Sequence, residues 1–192
     1  MKPLTFILFG MMCFAQWFVP GKMIYDSEII MTEGKVFKFK TEPIDPSDPF
    51  RGKYITLRFE ADFISFEDST DFVTGQEIFV TFKTDSAGFA VPDEMFHTKP
   101  DLAYYLKTNV DYVMNYGDDH RVEFDLPFDR FYLEESKALR AEELYREAQR
   151  DSTQVAYALV SIGPGQAVIK DVIINDKPII NLIDDQKESD AP

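Results

Sequence analysis

The groups in this 192-residue chain that could do chemistry are mostly carboxylates: Asp45 and Asp48 in a proline-punctuated run, Asp129, and Glu134 and Glu135 ahead of a helical stretch. Two converging carboxylates can act as general acid and base, or hold a hard cation through oxygen. Spacing along a chain does not bring them together, and in a chain this acidic most carboxylates are solvated surface or helix N-terminal charges. His97 and His120 have no His or Cys at ligand spacing, so no zinc site is expected. No serine sits in a recognisable nucleophile elbow. Gly163-Pro164-Gly165 lacks a following Lys-Ser/Thr and reads as a turn rather than a phosphate cradle. Cys13, the single cysteine, lies in the apolar N-terminal stretch, which leaves the body without thiol chemistry or an internal disulfide. The expectation is no cofactor, no metal, and a chain that leans away from catalysis.

The elements that must position these groups follow from composition and pattern. Apolar residues make up 45% of the chain and aromatics 15%, with 18 Phe, enough for one sizeable core. The net charge of -14, from 34 Asp and Glu against 20 Lys and Arg, repels phosphate backbones, so nucleic acid is excluded as a partner.

Leu4 to Val19 is uncharged, and a helix continued to Ile24 with Lys22 snorkelling would cover the hydrocarbon thickness. Residues 1–24 therefore read as a membrane anchor. A cleaved signal peptide with a Cys13-Phe14-Ala15 site is the competing reading. Either way Lys2 stays inside and the acidic body is carried out of the cytoplasm. Residues 25–183 read as one β-rich domain, beginning with a short juxtamembrane helix or strand over Tyr25 to Thr32, and residues 184–192 as an acidic unordered tail.

Within the body, Ile55, Leu57, Phe59, Ala61 and Phe63 alternate with Tyr54, Thr56, Arg58, Glu60 and Asp62, the period of a half-buried antiparallel strand. Further strands are read at 36–41, 77–84, 89–91, 104–114, 121–126, 155–162 and 167–174, with turns at Ser86-Ala87-Gly88 and Asn175-Asp176. Ala138, Ala141, Tyr145 and Ala148 fall on one stripe of a helix that starts at Glu134 or Ser136 and ends at Arg150. The expected fold is α+β, mainly antiparallel sheet with one amphipathic helix.

Ahead of the alternating strand, Asp45 and Asp48 each precede a proline and are pushed to extended backbone, with Arg51 placed to neutralise one of them. Gly52 and Tyr54 make a tight start to the strand. This run, with Leu57 and Phe131-Tyr132-Leu133-Glu134 further on, resembles the GDYXXLXY protein family of bacterial membrane-anchored proteins. Gly52, Tyr54 and Leu57 match its signature, while Lys53 stands in place of the motif Asp and Phe59 in place of the final Tyr.

The resemblance implies a single-pass protein of the bacterial inner membrane whose domain lies in the periplasm, with a multi-pass protein of the same membrane as partner. The candidate interaction site is then Asp45, Asp48, Arg51, Gly52, Tyr54, Leu57 and Glu134. Two alternatives remain: an enzyme or small-ligand receptor whose site lies where the Pro/Asp linker meets the sheet, and a chaperone-like module offering an open strand edge.

Overall fold

The computed structural model describes residues 3–42, 54–68, 71–116, 119–151 and 154–189. Helix α1 (Pro3–Glu33) runs, with Gly34 alone between them, into β1 (Lys35–Lys40). There follow β2 (Tyr54–Thr56), β3 (Phe63–Phe66), β4 (Glu77–Thr84), β5 (Ala90–Phe96), β6 (Tyr105–Tyr116), β7 (Asp119–Phe124) and β8 (Arg130–Tyr132). Helix α2 (Glu135–Arg150) leads to β9 (Ala156–Ile162), β10 (Pro164–Gly165), β11 (Ala167–Ile174), β12 (Lys177–Pro178) and α3 (Ile179–Ser189).

The fold is α+β, and its strands pair almost entirely antiparallel. One sheet has the order β1-β9-β11-β12, a second β3-β7-β6-β4-β5, and a small ribbon joins β2 to β8. The apolar faces of the two larger sheets close on each other. Phe37 and Phe39 of β1 and Ala158 and Val160 of β9 meet Val80 and Phe82 of β4, Leu106 and Val110 of β6 and Val122 of β7. Phe39 is the hub, with its ring 5.0 Å from Phe82, 5.1 Å from Phe128 and 5.8 Å from Phe59. Such edge-to-face contacts add to plain burial.

Helix α2 buries the expected stripe of Ala138, Ala141, Tyr145 and Ala148. The small residues let it approach the β2 strand and β9 closely. The two-residue turn Asn175-Asp176 has φ of 49° and 62°, the mirror-image geometry that suits a hairpin, and it joins β11 to β12 as expected.

Three elements differ from the sequence reading. α1 does not stop near residue 24 but continues through Glu33, since nothing between Tyr25 and Thr32 breaks a helix and Ile30 gains a buried position by continuing it. Asp184 to Ser189 are the end of α3, not an unordered tail: Ile179 and Ile183, four residues apart, are both buried against the sheet and hold that helix down. Gly163-Pro164-Gly165 does reverse the chain, but Pro164 and Gly165 also pair in parallel with Tyr105 and Leu106 of β6.

The ten-residue alternating strand is also cut short. Ile55, Leu57, Phe59 and Ala61 are buried as the alternation demands, yet the ladder with β8 ends at Thr56. Beyond it the chain changes partners. The Leu57 amide donates to the Asp129 carbonyl at 2.7 Å, Glu60 to Lys40 at 3.2 Å, and Phe59 bridges Thr41. The segment turns a corner from one sheet to the next.

Candidate functional site

Of the seven residues expected to form the site, Asp45, Asp48, Arg51 and Gly52 lie outside the described residues. Tyr54, Leu57 and Glu134 fall in or next to the β2–β8 ribbon. Tyr54 pairs with Tyr132, their rings 5.5 Å apart, and the Arg130 guanidinium lies 5.1 Å from the Tyr54 ring. Leu57 is a core residue, 3% exposed, with its side chain packed inward and its amide donated to Asp129. Glu134 precedes α2, where its carbonyl accepts the Lys137 and Ala138 amides while its exposed side chain caps nothing.

Next to this ribbon the corner in the chain opens a cleft of about 340 Å³. Leu57, Phe59 and Phe124 contribute to its wall, and five carboxylates line it: Asp62, Asp111, Glu123, Asp125 and Asp129. Arg58 is the cation among its lining residues. Burial pushes the Asp62 carboxyl above the ordinary carboxylate range. Glu123 adds to the rise, while a backbone hydrogen bond, Arg58 and Arg121 oppose it. Glu42, at the start of the Pro/Asp run, is raised too, by burial first and then by Asp62 and Glu60. A strip of mutually repelling carboxylates thus runs from the linker into the cleft.

This arrangement concentrates cations by field alone. It is not a metal site of ordinary design, because no three His, Cys, Asp or Glu converge on one point among the described residues. Among the described residues, Asp129 is the one carboxylate singled out from sequence that reaches the cleft. Asp62, Asp111, Glu123 and Asp125 come from three separate stretches, and no spacing could have announced their meeting. The outward phase of Asp62 in the alternating strand was the one local signal.

A second arrangement of functional weight lies at the end of α1. Helix termini leave carbonyls without intrahelical donors. Here the Ile30 carbonyl accepts from the Ser161 hydroxyl at 2.6 Å and from the Gly34 amide at 3.0 Å, and the Met31 carbonyl accepts from Lys170 Nζ at 2.9 Å. The Ile30 side chain is buried against Gly163, where a Cβ would come within 2.8 Å of Ile30 Cγ1. Gly34 is as crowded, so both glycines are there for close approach. The apolar run before this socket is bare, with Trp17 81% exposed and Ile24 71% exposed. It is long and apolar enough to cross a bilayer.

The family model described as "GDYXXLXY protein" matches residues 16–172, which takes in the C-terminal half of α1, the motif strand, the cleft and the socket. The chain belongs to the GDYXXLXY protein family. No curated protein and no solved structure was found to match it. Of the GDYXXLXY signature, Tyr54 faces the ribbon surface, and Leu57 and Phe59 fill the core where the chain turns its corner. The replacement of the final motif Tyr by Phe59 suits this position, since Phe59 is 2% exposed and packs on Phe39 and Phe128 with no polar partner required.

Proposed function

We propose that this GDYXXLXY protein is a single-pass, membrane-anchored domain displayed on the outer side of the bacterial inner membrane, acting by binding a protein of the same membrane and not by catalysis. The observation that carries the reading is the socket at the end of α1. An exposed apolar helix is common, but here its last turn is built into the β1-β9-β11 sheet with a single glycine between helix and strand. The span and the domain therefore move as one body. A protein held that way presents one face at one height above the lipid, which raises the encounter rate with a membrane neighbour without demanding a tight interface.

Separation of membranes from intact cells tests this. The full chain should remain in the membrane fraction after alkaline carbonate washing and appear only in detergent, and crosslinking before lysis should join it to an integral membrane protein. Recovery of a shortened chain in the soluble periplasmic fraction would overturn the anchored reading.

A second reading is favoured by the cleft: binding of a polycationic ligand by Asp62, Asp111, Glu123, Asp125 and Asp129. Calorimetry with spermine at low and high salt separates the two. Salt-sensitive binding lost in an Asp62→Asn, Asp125→Asn double variant supports a ligand site, and no heat at low salt removes it.

A further inference from the structure

The five-strand path β3-β7-β6-β4-β5 has β3 and β5 as its two ends, and these pack beside one another without a ladder between them among the described residues. A side-chain clasp spans the seam. His97, the residue after β5, stacks on Phe72 with ring centroids 4.1 Å apart and planes at 15°, and Phe72 packs in turn on Phe66 of β3.

The hydrogen bonds around His97 fix its proton. The Val73 amide, a donor only, points at Gln76 Oε1 at 3.1 Å, which sets the orientation of the Gln76 side chain. Gln76 Nε2, now necessarily the donor, faces His97 Nδ1 at 2.7 Å, so Nδ1 must accept. The proton therefore sits on Nε2 and is donated to Asp71 Oδ1 at 3.1 Å. The clasp is satisfied in one neutral tautomer.

We propose that His97 is a pH-sensitive latch on the β3–β5 seam, closed when the imidazole is neutral and loosened when Nδ1 takes a second proton. That proton would point at the Gln76 NH₂, donor against donor. Relief requires the Gln76 amide to turn, which takes its oxygen away from the Val73 amide. Asp71 faces Nε2, Glu67 and Asp68 stand exposed at the end of β3, Lys99 is exposed beyond β5, and Glu77 is engaged by Lys107 at 2.7 Å. Acidification thus keeps the Asp71 contact and gives up the Gln76–Val73 one. A domain outside the cytoplasm is one in which such a change of pH would be felt.

Nuclear magnetic resonance of the full chain in detergent micelles reads this directly. Near neutral pH the His97 ring should carry its proton on Nε2, and exchange of the Val73 amide, corrected for intrinsic pH dependence, should speed up at least tenfold as His97 titrates. His97→Phe, which keeps a ring on Phe72, should abolish that dependence. Gln76→Glu supplies an acceptor for both the Val73 amide and a protonated Nδ1, and should move the His97 midpoint up by about one pH unit. A neutral ring protonated on Nδ1, or Val73 exchange that ignores the His97 titration, would overturn the latch.

Discussion

Replacement of Ile30 by Ala tests the rigid seating of α1 in its socket. The side chain is 6% exposed, lies against Gly163 and belongs to the residue whose carbonyl takes two hydrogen bonds. Truncation removes an almost wholly buried aliphatic group, which costs about 2–4 kcal/mol. If that energy holds α1 in its socket, the population with the helix swung free rises about 30- to 700-fold, at one decade per 1.4 kcal/mol. Tryptic cleavage after Lys35, the first residue of β1, reads the population because cleavage of a transiently opened segment follows its opening equilibrium. Cleavage after Lys107, inside β6, reports global unfolding in the same digest. The seating predicts a rise of at least tenfold at Lys35 with little change at Lys107. A Lys35 rate within threefold of the parent, or equal acceleration at both sites, would refute it. Ser161→Ala should act in the same direction but more weakly, about 1 kcal/mol, because the Gly34 amide still reaches the Ile30 carbonyl.

Other substitutions probe the body. Phe39→Ala removes the hub ring and should cost about 3–5 kcal/mol in chemical denaturation, more than any single neighbouring Phe. The Tyr145 hydroxyl is buried beside Thr41 and Gln149, though neither completes a hydrogen bond of ordinary geometry with it, so Tyr145→Phe should leave stability within about 0.5 kcal/mol or raise it, whereas Tyr145→Ala should cost about 3–5 kcal/mol. Asp62 holds its proton more tightly folded than unfolded, so its contribution is favourable below the ordinary carboxylate range and lost as pH rises through the folded value. Asp62→Asn should therefore raise Tm near about pH 7, with the gain shrinking toward about pH 4. An equal or reversed difference at the two ends contradicts this.

The side-chain pattern along 54–63 announced which residues would be buried and was right about Ile55, Leu57, Phe59 and Ala61. Period-two alternation records which face of the chain meets the core, not which strand lies beside it. The handover from β8 to Thr41 and Lys40, and then to β7, left no local mark. The α2 stripe was legible because four residues at helical spacing are all small or aromatic, with charge on the other side. α3 carried a similar signal in Ile179, Ile180, Leu182 and Ile183, but over little more than one turn and followed by a charged run that reads as tail. The cleft carboxylates and the His97 clasp stayed hidden for one physical reason. Each joins residues brought together by strand order, and strand order is decided by the whole core.

Ile30 and Ser161 are separated by 131 positions, and Thr41 and Ala156 by 115. The first strand to leave the ribosome is thus the one that must wait longest for its neighbour, since β9 is made only after most of the body has been translated. During that interval the nascent chain carries Phe37 and Phe39 with no sheet to receive them. Its folding is slow by topology, because ladder closure over so long a loop comes late. A stalled or truncated product lacking residues beyond about 155 would keep β1 but not its partner strand, and would present an open β edge ready to pair with copies of itself.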